Sequence, residues 1–327
     1  ETDKQMTGSG NNLADDSDSR QNSLTTADIF NDDNSSGDYS RTGDDYATIG
    51  TEIDSRQSQT NIGTKFNNNG ATTSLNQTKA YIANNAVVTS GRDVTVSAED
   101  TTSSIYTGGA LGGAGVVGVG VTVGVMIVNN TAEAFIGQNA QVNATRNTVV
   151  KARTSEDVTS AALSAGGAGI TSVQGTVMAQ VTRSTTRAYI ADNASINQSD
   201  NGTTAQSVAV SADSATSQLS VSGSGGGALV GVGITGDTLV LEKETTAYIG
   251  DDARVRSGGD VSVDANAKAD LLQIALSING GLVGVTGAAG VTVASNTTSA
   301  SIGNRAVVFA EDSIRVQATD DTEVDAI

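Results

Sequence analysis

The 327 residues include no Cys, His, Pro or Trp, and 36 acidic residues stand against 18 basic ones for a net charge of −18. Without His or Cys, Ser-His-Asp and Cys-His nucleophiles and imidazole or thiolate zinc sites are excluded, although a missing thiol says nothing of redox compartment. The acidic balance argues against nucleic acid and anionic membranes as partners, and the lack of Pro, where average usage would place about 16, suits paired strands rather than a loop-rich enzyme.

In chain order, residues 1–77 come first. They are rich in Asn, Asp, Ser, Thr and Gly and predict a polar N-terminal segment, disordered by composition alone, with short strand-like pieces at 46–49 and 60–63. Asp32, Asn34, Ser36 and Asp38 place oxygen side chains at alternate positions around Gly37. That spacing resembles the first part of an EF-hand loop and makes them candidate Ca²⁺ ligands. Gly43 stands where the bidentate Glu of such a loop belongs, and Asp44 and Asp45 are out of register, so a solvated polar loop is the competing reading. Apart from Ca²⁺ at this stretch, no cofactor is expected. The start at Glu1, with no signal peptide, reads as a mature or excised chain, and no apolar run of about 18 residues predicts a transmembrane helix.

From residue 78 to 327 the chain repeats. Ala80-Tyr81-Ile82 returns as Ala134-Phe135-Ile136, Ala188-Tyr189-Ile190, Ala247-Tyr248-Ile249 and Ala300-Ser301-Ile302, with the Ile positions 54, 54, 59 and 53 apart. The long interval carries a polar insert from Gln198 to Thr204. After each Ile come small polar turn residues, then an Ala and a Val or Ile two further on (Ala86 and Val88 in the first copy). A second turn leads to a period-2 triplet such as Val94, Val96 and Ala98. Residues at i and i+2 share one face of a strand, so these three short strands bend about one small apolar core. Ile82, Ile136, Ile190, Ile249 and Ile302 are therefore predicted to stack as a buried ladder, with Tyr81, Phe135, Tyr189 and Tyr248 in a second row on the opposite face, covering the neighbouring Gly-rich sheet.

The remainder of each repeat is a Thr-rich polar patch followed by a Gly/Val run. In the first copy Val119 to Ile127 alternate with Gly118, Gly120, Thr122, Gly124 and Met126. Strict alternation predicts a strand. At about 33 Å it is too long for one side of a narrow rung, so it either bends at its glycines or forms a separate flat sheet. The fold class is all-β: a repetitive parallel β-solenoid of about 4.5 repeats of roughly 54 residues, with long Gly/Val-rich strands. Gly223 and Gly225 to Gly227 do not make a phosphate loop, because no Lys-Ser/Thr pair follows them.

The pattern A-Y-I-G/A-N/D-N/D-A-x-V, then G-x-D-V-x-V-x-A, then a Gly/Val stretch, resembles the repeats of leukotoxin-like filamentous adhesins and related haemagglutinin-type exoproteins of diderm bacteria. The resemblance covers about three quarters of the chain. It implies type V export, an extracellular or cell-surface location, a solenoid shaft and roles in adhesion or fibre building, with no catalytic residues to carry over. By alignment with Glu99 to Tyr106 the chain stops where the Gly-rich half of a fifth repeat begins, and the expected partner is a further copy, added head to tail by strand donation from the N-terminal region, or the remainder of a larger adhesin. Two other classes compete: a polysaccharide lyase or glycosidase acting through a carboxylate pair, disfavoured by 3% aromatics, and a calcium-dependent binding module. An ordered-surface binder is disfavoured because the adjacent threonines of pairs such as Thr185-Thr186 point to opposite faces.

Overall fold

The computed structural model describes residues 70–198 and 206–327, together with the short strands Ser23–Thr25, Ile62–Gly63 and Lys65–Asn67. Each rung has three strands, one in each of three sheets. The first sheet stacks Gly70–Ile82, Val117–Ile136, Thr171–Ile190, Val230–Ile249 and Val283–Ile302. The second stacks Val94–Ala114, Thr148–Ala168, Val208–Gly227, Val261–Gly280 and Ile314–Ala326. The third stacks the short strands Val87–Ser90, Gln141–Ala144, Ser195–Ile196, Arg254–Ser257 and Val307–Ala310. All rung-to-rung pairs are parallel. The chain is therefore an all-β parallel solenoid. Among the described residues no helix is long and apolar enough to cross a membrane.

The Gly/Val run is neither a bend nor a separate sheet. The period-2 triplet, the Thr-rich patch and the first glycines form one strand of the second sheet. The chain reverses at a two-residue turn such as Gly115-Val116, and the Gly/Val run continues unbroken into the Ala-Tyr-Ile phrase as one strand of the first sheet. Strands of 20 residues span about 66 Å. The rung is thus a small triangle at one end, closed by the third sheet, from which two long strands run on together as a flat two-layer arm.

The triangle holds the main core. Ala134, Ile136, Ala140, Val142, Val150 and Ala152 and their equivalents in adjoining rungs make one buried cluster. Each rung enters the third sheet through a tight turn whose second residue has positive φ: Asn85 (59°), Asn139 (57°), Asn193 (57°), Asp252 (56°) and Arg305 (54°). Asn and Asp tolerate this left-handed region better than other side chains. Arg305 is held there by Asp252, whose carboxylate accepts from Nε at 2.7 Å and from a terminal nitrogen at 2.5 Å.

The insert leaves the third sheet without disturbing the other two. Ser195–Ile196 is cut to two residues because Asn197 turns out at φ 54°. Its Oδ1 then accepts the Ala144 backbone N–H at 2.9 Å, replacing the missing strand bond. The chain returns in register, with Val208 opposite both Thr148 and Val261. At the other end, Gly70–Ile82 already lies in the first sheet, so the solenoid reaches back past the sequence boundary at 78. Ser23–Thr25 pairs antiparallel with Gly70–Thr72, and Lys65–Asn67 antiparallel with Gly109–Leu111.

Candidate functional surfaces of the long arm

The five predicted isoleucines pair in register from Ile82 through Ile136, Ile190 and Ile249 to Ile302. Ile136, Ile190 and Ile249 are fully buried, whereas Ile82 and Ile302 are partly buried against the same core. Asp32, Asn34, Ser36 and Asp38 lie outside the described residues. Among the described residues, no group of three or more acidic side chains is placed to hold a metal ion.

The aromatics do not cover a neighbouring sheet. They project from the outer face of the first sheet and stack on one another, with centroids 5.2 Å apart for Tyr81–Phe135, 4.8 Å for Phe135–Tyr189 and 4.8 Å for Tyr189–Tyr248. A charged row runs beside them. Lys79 pairs with Glu133 at 2.8 Å, Tyr189 donates to Glu133 at 2.9 Å, and Arg187 meets both oxygens of Glu244 at 2.7 and 2.8 Å. Burial pushes the Glu133 carboxyl up, but the hydrogen bonds from Lys79 and Tyr189 prevail and hold it below its ordinary value. Burial, and then the bond to Glu133, push the Tyr189 phenol well up.

Just beyond the core, the inside of the arm carries a buried polar seam. Asn130 donates to Glu156 at 2.9 Å, Thr216 donates to the other Glu156 oxygen at 2.6 Å, and Lys243 donates to Thr216 at 3.2 Å. Lys243 also donates to the backbone oxygens of Ser214 and Lys268, at 3.1 and 2.5 Å. Glu156 and Lys243 are 3% and 4% exposed. Burial pushes the Lys243 amine down to about 8, against the pull of Glu156, Asp320 and Asp270.

Farther out the arm interior is mixed: two small apolar clusters, one around Met126, Val128 and Met178 and one around Leu239, Leu241 and Leu271, lie among polar side chains and glycines, while the outer face is apolar. Counting back by twos from buried Ile136 puts Met126, Gly124, Thr122, Gly120 and Gly118 inside, and Val117 to Ile127 outside. In the next rungs Gln174, Thr176, Gln180, Gln218, Ser220, Thr235 and Asp237 face inward and are buried. Their bonds tie the two layers together: Ser160 donates to Gln180 at 2.7 Å, Ser220 to Asp237 at 2.7 Å, and Thr122 to the Leu163 carbonyl at 2.9 Å. Inward glycines let the layers close. A Cβ on Gly112 would lie 2.4 Å from the Val119 carbonyl carbon, and one on Gly124 would lie 2.6 Å from the Met178 sulfur.

The outer face of the first sheet over this stretch is apolar and uncharged. In register run Val121, Gly175, Ile234 and Gly287, beside Val123, Val177, Gly236 and Ala289, and then Val125, Ala179, Thr238 and Val291. The turns at the tip add a row of exposed Val116, Ile170, Leu229 and Leu282. No charged residue occurs in 105–128, 158–182 or 271–294, and only the inward Asp237 in 218–241. Sequence reading missed both the outward facing of these valines and the Glu156–Lys243 seam. The signal for the facing was present in the parity of the valines relative to the isoleucine ladder. The charged pair had none: Glu156 and Lys243 each occur once, at register positions that other rungs fill with Thr102, Thr216 and Thr322 and with Asn76, Asn130 and Asn296.

Comparison of the chain with protein-family models, curated proteins and solved structures finds no match.

Proposed function

We propose that the chain is a length of extracellular adhesive or structural shaft on a bacterial surface, of the filamentous-adhesin and haemagglutinin-type repeat class, which joins further copies head to tail by strand addition. The observation that carries this reading is the register. Five rungs stay in phase across intervals of 54, 54, 59 and 53 residues, and one-dimensional stacking of near-identical units is how solenoids build rods. Among the described residues the strands of the last rung, Val283–Ile302 and Ile314–Ala326, have no neighbour on their outer side, and such edges pair readily with other strands.

In this reading the chain is not an enzyme, and its acidic residues fasten rungs together. Asp93 pairs with Arg146 at 2.6 Å, Asp252 with Arg305 at 2.5 Å, and Glu242 with Arg183 at 2.6 Å, each across one rung step. Such pairs are worth little singly at a surface but fix register along the stack. Strand donation would move the N-terminal strand Ser23–Thr25 from its own first rung to the last rung of a neighbour. Negative-stain microscopy of the full chain and of a variant lacking residues 1–45 tests the reading. Filaments from the first, and none from a still-folded second, are expected. A full chain that stays monomeric at high concentration would rule head-to-tail addition out.

A further inference from the structure

The outer face of the first sheet, from Val117 to Ile127 and across the three rungs that follow, measures roughly 19 by 36 Å, about 700 Å². Contiguous apolar patches on soluble monomers run to about 300–600 Å², and larger ones mark contact surfaces. Two such faces together would bury about 1,400 Å², within the range of a stable, specific interface. We propose that this face pairs with the same face of a second copy, giving a lateral, isologous contact distinct from any end-to-end one.

Three features select a second copy as the occupant. The face is contoured in a self-matching way. Ile234 stands up, 61% exposed, between Gly175 and Gly287 in its own column and next to the column of Gly236. Those glycines are hollows: a Cβ on Gly236 or Gly287 would meet nothing within 4 Å, and one on Gly175 would touch only Val121, at 3.9 Å or more. A twofold axis brings the Ile234 knob of each copy to a glycine hollow of the other, the reciprocal arrangement that isologous contacts require.

Charge also fits. The acidic and basic side chains of this face, including Glu133, Arg183, Arg187 and Glu242, are confined to the end near the triangle. The pairing surface therefore carries no like charge to repel its own copy, despite the net charge of −18.

A bilayer is the other apolar medium such a face could enter, and the backbone disfavours it. Among the described residues the sheets stack without closing into a barrel, and a sheet entering hydrocarbon must close so that no edge N–H or C=O is left without a partner. Sheet-on-sheet pairing covers side chains only and leaves those edges in water.

Sedimentation of the full chain over a concentration series tests the proposal, alongside Ile234→Lys and Gly236→Val. Both substitutions point outward. Gly236→Val adds a β-branched side chain to a strand in open space, so it should fold at least as well as the parent, which circular dichroism and melting will report. At micromolar concentrations below the onset of end-to-end filaments, the parent is expected to sediment as a dimer. Each variant should raise the dissociation constant about tenfold or more, Ile234→Lys by adding charge and Gly236→Val by filling the hollow. A parent that remains monomeric to about 100 μM, or folded variants that dimerise as tightly as the parent, would overturn the proposal. Should Ile234→Lys fail to fold, Gly236→Val alone decides.

Discussion

Tyr189 and Tyr248 stack with ring centroids 4.8 Å apart and planes 3° from parallel, although 59 residues separate them where the preceding steps take 54. The extra residues are accommodated entirely at the third sheet, so the aromatic row reports on the alignment of the long strands and not on chain length. Tyr189 is stacked on both sides and also bonds Glu133. Aromatic pairs contribute about 0.5–1.5 kcal/mol each beyond their buried area. Tyr189→Ala is therefore expected to cost about 1–3 kcal/mol in denaturant unfolding, and Tyr81→Ala, stacked on one side only, distinctly less. Equal costs would mean that the stack is incidental.

The isoleucine ladder makes a sharper contrast. Ile190 is fully buried between Ile136 and Ile249, while Ile82 begins the row and is only partly covered. Ile190→Ala should cost about 2–5 kcal/mol, because the close-packed triangle cannot collapse around the missing atoms. Ile82→Ala should cost less than half as much, since the first rung can relax. Urea titrations of the two variants side by side measure the difference, and a larger loss at Ile82 would contradict the stacking order.

The triangle was legible in the sequence because its signals are local and repeated: Asn at the left-handed turn position, Ala and Ile two apart, and the Val-x-Val-x-Ala triplet. The arm was only partly legible, because alternation gives a strand but not its facing. Valines in a strand invite an inward assignment, yet parity from Ile136 puts them outside and Gly118, Gly120 and Gly124 inside. Glycine faces inward here because the layers approach too closely for a Cβ, as at Gly112 against Val119. Strand length was also underestimated, because the Thr-rich patch resembles a turn in composition while its inward members, such as Thr154, Thr186 and Ser214, bond one another inside the arm.

Lys243 predicts a pH dependence with a definite sign. Its amine is pushed down to about 8 in the folded chain, from an ordinary 10.5. Between those values the unfolded chain binds a proton that the folded chain has released, so stability should rise with pH. The full gain is roughly 3 kcal/mol, most of it reached by about pH 10. Above that, Tyr189 and Tyr248, whose phenols are pushed up, act in the opposite direction, because the unfolded phenols ionise first. Lys243→Met should flatten the rise between pH 8 and 10. A parent whose stability falls with pH in that window would show that Lys243 stays charged in place.

Asp237 is the converse case, and its position inside the arm makes it the clearest. It is 2% exposed and is the sole charged residue in the stretch 218–241. Ser220 donates to Oδ2 at 2.7 Å, while Oδ1 has no hydrogen-bond partner. Burial pushes the carboxyl pKa up and prevails over the pull of Ser220, Gln273, Ser222 and the Thr238 N–H. A raised carboxyl pKa means that the folded chain holds its proton more tightly than the unfolded chain. This group's contribution is therefore most favourable at low pH and is lost as pH rises from the ordinary carboxylate value through the raised one. Asp237→Asn removes the charge, keeps an oxygen to accept from Ser220, and places an amide where the second oxygen is unsatisfied. Replacing a buried charge whose desolvation outweighs its hydrogen bonds by a neutral group of the same shape should raise stability at pH 7 by about 1–2 kcal/mol and leave little change at pH 3. Calorimetric melting of parent and variant at the two pH values measures this. A variant destabilised at pH 7 would show that the carboxylate is needed inside the arm in its charged form, and the polar lining would then have to be read as a charge-holding site and not merely as the adhesive between two layers.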